Sequence, residues 1–285
     1  MTYLQPIKPI DYLIIGHLTH DIVPGGFMLG GTAAYAALTA KAMGFEVGIV
    51  SSCANCHRYP ELSGIQIIAS TAEFSTTFEN INHDNERLQY IHHKADDLDL
   101  HMIPELWKTT PIVHFGPVAQ EISPNLVHAF PDSMIGLTPQ GWMRQWDNEG
   151  KVTYTDWIES IYVLPKSSAA IISLDDVKRN EEIIEDMVPS IPVLVVTDAG
   201  NEIRVYWHGD IRCFKPAIVE DVDATGAGDI FAATFFGRLY QTRNPWEAAR
   251  FANGIASQSI SRLGLNSAPT PTEIKKQMIE VISNN

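Results

Sequence analysis

The sequence predicts an α/β protein: a three-layer sandwich whose central sheet is mainly parallel, carrying a small β insertion. Three observations lead there. Short apolar runs alternate with stretches of helical spacing, one polar-turned region breaks that alternation with β-type patches, and everything after Gly226 reads as helix. The runs Tyr12 to Ile15, Val47 to Val50, Ile112 to Phe115, Met134 to Leu137, Ala169 to Leu174 and Val193 to Val196 are short, continuous and apolar, as expected of strands buried on both faces. Between them, Thr32 to Met43 is rich in alanine and leucine, and Asp175 to Met187 carries acids early, where a helix dipole favours them; both are expected helices.

The exception is Ile65 to His93. Its patches Ile65 to Ile68, Phe74 to Phe78 and Leu88 to His92 are divided by turns such as Asn82-His83-Asp84-Asn85, which predicts a small β insertion. A hairpin is expected from Ile203 to Trp207 into Ile211 to Phe214, turning at His208-Gly209-Asp210. Two closing helices carry the stripes Phe231, Phe235, Leu239 and Ala248, Phe251, Ile255, with Asn244-Pro245 between them as a break. With no repeat or linker in view, one domain over 1–285 is expected.

The 34 acidic and 20 basic residues leave a formal charge of -14, which argues against nucleic acid as a partner. No apolar run approaches the roughly 20 residues of a membrane helix, and Met1 to Pro9 lacks the regions of a signal peptide, so a cytoplasmic protein is expected. Cys53, Cys56 and Cys213 are too few for a disulfide framework. The run Cys53-Ala54-Asn55-Cys56-His57 matches a haem-attachment pattern and half a zinc site, but without an export signal or a second cysteine pair the expected state is buried or loop cysteines after a strand.

The chemistry concentrates in Asp223-Ala224-Thr225-Gly226-Ala227-Gly228-Asp229, placed just before the helical run Ile230 to Tyr240. Small residues let a backbone approach a ligand closely, and the unpaired amides of a first helical turn form an anion site, so Gly226, Ala227 and Gly228 are candidates to hold phosphate oxygens. An acid beside such a site is electrostatically awkward unless it acts as a base, and Asp229 is placed to take a proton from an attacking hydroxyl. A plain helix-capping aspartate is the competing reading of the short motif.

The whole string favours the base: it closely resembles the C-terminal signature of ribokinase-like (PfkB) carbohydrate kinases, D-T-x-G-A-G-D, with Ala224 where threonine is usual. Weaker similarities follow in the family's order from about Asp11 to Gly264. Gly30-Gly31 before the first helix is similar to the glycine-rich N-terminal signature. Asp21 in Gly16-His17-Leu18-Thr19-His20-Asp21 resembles the acid that binds substrate hydroxyls, and Ser75 to Phe78 with Arg87 resembles the lid, expected at about 17–30 and 65–95. The stretch Val195 to Gly200 is similar to the turn lining the nucleotide phosphates, which brings in Thr197, Ala199 and Gly200, and Asn253 matches an asparagine near the adenine. Thr225 would join the nucleotide contacts. Where the family carries N-x-x-E to hold hydrated magnesium, this chain has Ser173-Leu174-Asp175-Asp176, leaving Ser173 near the nucleotide and Asp176 as the metal-side acid on a shorter arm.

The resemblance implies ATP and Mg2+ as cofactors, allows a monovalent cation, and allows a homodimer joined through the lid. Gln140 and Arg144, in the loop Pro139 to Arg144 after a strand, are candidate substrate contacts. The pairing of GHLTHD with PQGWMR looks like the family's inositol-kinase branch, so a myo-inositol-like polyol is the expected acceptor; a nucleoside, or a non-catalytic binding regulator, are the alternatives.

Overall fold

The computed structural model describes residues 6–56, 59–83, 86–217, 219 and 222–283. In chain order the elements are β1 (Tyr12–Ile15), β2 (Thr19–Val23), β3 (Gly26–Gly30), α1 (Thr32–Ala42), β4 (Val47–Cys53), β5 (Gln66–Thr71), β6 (Thr77–His83) and β7 (Glu86–His93). There follow β8 (Ile112–Phe115), β9 (Met134–Leu137), β10 (Arg144–Trp146), β11 (Val152–Tyr154), α2 (Ser160–Val163), β12 (Ala169–Ser173), α3 (Glu181–Met187) and β13 (Val193–Asp198). The chain closes with β14 (Glu202–Trp207), β15 (Asp210–Phe214), α4 (Ala227–Thr242), α5 (Pro245–Ser259) and α6 (Pro271–Ser283).

Among the described residues, nine strands form the main sheet in the order β15-β14-β13-β12-β9-β8-β1-β4-β5. All neighbours from β5 to β13 run parallel, and the hairpin β14–β15 adds an antiparallel edge. Strand alternation divides β1 between two cores. Tyr12 and Ile14 pack on the side of α1, α4 and α5 with Phe231, Phe235 and Ala252, whereas Leu13 and Ile15 pack with Trp107, Phe130, Trp142 and Ile184 on the other. The three layers are therefore unequal: long helices cover one face, short helices and 3-10 turns the other.

Two expectations change. The patch at Ile65 joins the main sheet as β5, pairing in parallel with β4 from Gly48↔Gln66 to Cys53↔Thr71, and does not belong to the lid. The expected helix from Asp175 is broken: Leu174–Val177 is a 3-10 turn closed by a capping box between Ser173 and Asp176, Lys178 and Arg179 take left-handed conformations, and α3 starts afresh after Asn180, whose side chain accepts from the Glu182 amide. The break at Asn244-Pro245 does occur, with the Asn244 side chain accepting from the Trp246 and Glu247 amides.

Among the described residues, the lid is a four-stranded sheet in the order β3-β2-β6-β7. Its base is tied to the main sheet by two buried side chains. The Asp96 carbonyl can only accept, so His17 donates from Nε2 to it at 2.9 Å and its Nδ1 accepts from the Thr76 hydroxyl at 2.7 Å. Glu121, fully buried, accepts from the amides of His17, Val118 and Ala119 at 3.1, 3.0 and 2.7 Å, stapling the loops after β1 and β8 together.

Cys53 and Cys56 form a disulfide, with Cα atoms 5.5 Å apart, and Cys213 is free and exposed. Counting cysteines did not foresee a local bridge, which needs only a turn at the end of β4. His57, Asp84 and Asn85 lie outside the described residues, and among the described residues no cluster of metal-ligating side chains occurs and no helix is long and apolar enough to cross a membrane.

Candidate active site

Parallel strands deliver their carboxyl ends to one edge, and the loops there enclose a cleft of about 1120 Å³ beneath the lid. It is lined by Asp21 and Gly31 from the lid and first helix, Gln140 and Arg144 from the loop after β9, Ser173 and Asp176 after β12, and Thr197, Ala199 and Gly200 after β13. Thr225 to Asp229 and Asn253 complete it. Of the sequence candidates only Gly30 stands back from the cleft. It lies beneath Asp21: a Cβ there would fall 2.3 Å from the Asp21 Oδ2, so the glycine makes room for the carboxylate. A smaller hollow of about 460 Å³, near Tyr240 and Arg243, contains none of these residues.

The signature forms the turn into α4. Gly226, at φ 81°, is its N-cap, and a Cβ on it would meet the Tyr35 ring at 2.3 Å, so both backbone and packing require glycine. Asp223 braces the turn, accepting from the Thr225 amide at 2.9 Å and from the Gly264 amide at 3.0 Å. The Ala227 amide is spent on the Ala224 carbonyl at 3.2 Å, which shifts the role of anion donor toward its glycine neighbours.

Asp229 sits half-buried at the cleft floor and accepts from the Thr32 hydroxyl at 2.7 Å. Burial pushes its carboxyl up to about 6, with the Asp176 and Asp21 carboxylates adding to the rise and Thr32 and Arg144 opposing it. Thr32 was not among the sequence candidates, because a threonine opening an alanine-rich helix carries no signal of its own. Arg144 is the single basic residue among the described lining residues; it donates to the Val118 carbonyl at 3.1 Å and lies over the Phe78 ring at 5.6 Å.

Gln140 does face the cleft, but its amide donates to Asp176 Oδ1 at 2.6 Å, while Asp176 Oδ2 accepts from the Ser173 amide at 2.8 Å. Burial raises the Asp176 carboxyl above its usual range, against those bonds and Arg144. The loop after β9 is thereby fastened to the acid after β12. Further out, Arg179 grips Asp198 through two 3.0 Å bonds, and that guanidinium holds the Asp198 carboxyl below its usual range. Asn253 donates to the Lys215 carbonyl at 2.8 Å and Ser257 accepts from the Ala217 amide at 3.2 Å, fixing the apolar rim of Pro216 and Ala217. In the lid, Gln89 donates to Asn80 at 2.9 Å across β6 and β7, and both line the cleft, a pair that the sequence did not single out.

The sequence pattern described as pfkB family carbohydrate kinase matches residues 169–273, the stretch that carries β12, the turn and α4. That stretch carries the pattern of a pfkB-family carbohydrate kinase domain. The matched pattern and the kinase relatives indicate a phosphotransferase with an alcohol group as acceptor. A cytidine kinase of Thermococcus kodakarensis (strain ATCC BAA-918 / JCM 12380 / KOD1) is 24% identical over 280 residues, covering 90% of this chain and 98% of the relative. Among solved structures, a pyrophosphate-dependent kinase in the ribokinase family, complexed with a pyrophosphate analog and myo-inositol, superposes with a TM-score of 0.78 at 19% identity, over 93% of this chain and 99% of that one. Arabidopsis thaliana ribokinase, complexed with ribose and ATP, superposes with a TM-score of 0.69 at 16% identity, over 95% and 99%. These likenesses carry the ribokinase-like fold.

Proposed function

We propose that this protein transfers the γ-phosphoryl group of ATP to a hydroxyl of a small neutral polyol, a cyclitol of the myo-inositol kind, with Asp229 as the base. The carrying observation is the placement of Asp229: at the first turn of α4, beside the glycine amides, on the floor of the cleft and held there by Thr32. A carboxyl near 6 is ionised at neutral pH yet basic enough to take the proton of a hydroxyl. The acceptor oxygen attacks the γ-phosphorus, its proton passes to Asp229, the bond to the β-γ bridging oxygen breaks, and ADP leaves with that oxygen. The Gly226 and Gly228 amides of the turn offset charge on the transferring group.

A neutral acceptor follows from the charges. Asp21 and Asp229 line the acceptor region with Arg144 alone opposing them, so a sugar phosphate would meet repulsion while a ring of hydroxyls finds acceptors. The neighbour complexed with myo-inositol supports the cyclitol. ATP is favoured over pyrophosphate because the cleft continues to Pro216, Ala217 and Ile260, an apolar stretch that a nucleobase can cover. Asp176 fits a magnesium ion that keeps its waters, since each of its oxygens has one protein partner and retains a lone pair. Bound there, the ion would neutralise phosphate charge.

A nucleoside acceptor is the second reading, favoured by the full-length similarity to the cytidine kinase. Product release measured with myo-inositol, ribose and cytidine, each with ATP and with pyrophosphate, separates the readings. Turnover greatest with ATP and myo-inositol is expected; greater turnover of cytidine would replace the cyclitol, and no acceptor-dependent turnover would defeat the proposal.

A further inference from the structure

Besides the acids already described, the cleft is lined by two further carboxylates, Asp175 and Asp198. Asp175 belongs to the 3-10 turn after β12 and Asp198 ends β13, so both stand at the end of the cleft that holds Ser173, Thr197 and Gly200. A nucleoside triphosphate brings several negative charges to the same place. The cation that offsets these acids stands just outside the lining, at Arg179.

Arg179 donates from Nη1 to Asp175 Oδ1 and to Asp198 Oδ1, and from Nη2 to Asp198 Oδ2, each at 3.0 Å. Asn201 also donates to Asp198 Oδ2, at 3.1 Å, so both oxygens of that carboxylate are engaged. The backbone bends to bring the guanidinium there. Lys178 and Arg179 are consecutive non-glycine residues in the left-handed region, at φ 52° and 57°, and the Arg179 amide closes the turn on the Leu174 carbonyl at 2.8 Å. Such conformations persist only where their surroundings hold them, and they gather at functional sites. Fold stability is a poor reason for this one: the Arg179 side chain is 53% exposed, and ion pairs so open to water contribute little. What an exposed guanidinium does supply is charge, one cation set against two acids.

We propose that Arg179 is a positioning residue for the phosphate donor that acts through the two acids: it does not touch ATP, but offsets the carboxylates of Asp175 and Asp198 so that the triphosphate can settle beside them. The proposal rests on the ATP-kinase reading above. It makes a prediction about charge alone. The wild-type cluster of two acids and one cation carries a single net negative charge, Arg179→Gln doubles it, and adding Asp198→Asn restores it.

The test compares Arg179→Gln, Arg179→Lys and the double variant Arg179→Gln with Asp198→Asn. Each is assayed at low and high salt for the KM of ATP and of whichever acceptor the wild type prefers among myo-inositol, ribose and cytidine, with ligand-free thermal unfolding alongside. Expected for Arg179→Gln are a KM for ATP raised about tenfold, a smaller rise at high salt, an acceptor KM within about twofold of the wild type, and a Tm within about two degrees of it. Arg179→Lys keeps the cation and the double variant restores the net charge, so both should bring the KM for ATP back to within about threefold of the wild type. An unchanged KM for ATP in Arg179→Gln would overturn the proposal. A double variant no better than Arg179→Gln would also overturn it, because the guanidinium would then be touching the donor or bracing the fold. Failure of the kinase reading looks different, since the wild type itself would then show no acceptor-dependent turnover. In that event the thermal shifts given by ATP are compared in the same proteins: a shift smaller in Arg179→Gln and recovered in the double variant sustains the proposal, and equal or absent shifts overturn it.

Discussion

At Asp229, burial and the carboxylates of Asp176 and Asp21 push the proton on, while Thr32 and Arg144 pull it off. If the ionised form is the base, kcat/KM rises with pH through about 6 and levels above it. Thr32→Val removes one of the two stabilising partners, and the limb is expected to move up by about one pH unit, lowering kcat/KM at pH 6.5 roughly threefold. An unmoved limb in a pH-rate profile would separate Thr32 from the base. At Gly226 the constraint is steric: Gly226→Ala must hold a φ of 81° and push into the Tyr35 ring, and a loss of about 2 kcal/mol or more in urea unfolding is expected. Asp229 and Gly226 were legible in the sequence because a short string places them before a helix. Thr32 and Tyr35 were not. In Thr32–Ala42 every side chain from Thr32 to Ala37 is buried, and a packing residue cannot be told from a cleft residue by pattern alone.

The elements show why boundaries resist reading. β5 has the same short alternating composition as the lid strands, and only its parallel pairing with β4 assigns it to the main sheet. The helix expected from Asp175 fails for a reason written in four residues: the Ser173–Asp176 capping box closes a single turn, and left-handed Lys178 and Arg179 prevent its continuation. That same turn gives Gln140 its partner. Gln140→Ala frees Asp176 from the loop after β9, and the expected effect falls on the donor side: a several-fold higher magnesium requirement and KM for ATP, with the KM for myo-inositol held within about twofold. The reverse split in steady-state kinetics would make Gln140 an acceptor contact. Asn244 caps α5 through two amides, so Asn244→Ala is expected to cost about 1 kcal/mol, measurable as a lower urea midpoint without loss of KM.

Across the whole molecule, the mainly parallel sheet was the most legible feature, because short continuous apolar runs such as Tyr12–Ile15 fit strands buried on both faces. The lid could be foreseen as a β element, but its attachment through His17 and Glu121 depends on contacts between loops over 50 residues apart in sequence. Cleft and fold meet in the pH dependence of stability. The Asp229 carboxyl is raised from 3.8 to about 6 in the folded protein, so its contribution is fully present below 3.8 and is lost as pH rises through about 6. Asp229→Asn should therefore gain stability over the wild type between pH 5 and pH 8, by about 1 kcal/mol once screening by cleft water is counted. Equal changes in urea unfolding at both pH values would contradict the raised carboxyl.

The most direct measurement is the turnover number of Asp229→Asn with ATP and the preferred acceptor, taken together with the thermal shift each ligand produces. If Asp229 is the base, kcat drops by about 10² to 10⁴ while both ligands still stabilise the variant. A kcat within a few-fold of the wild type, with binding intact, would contradict it.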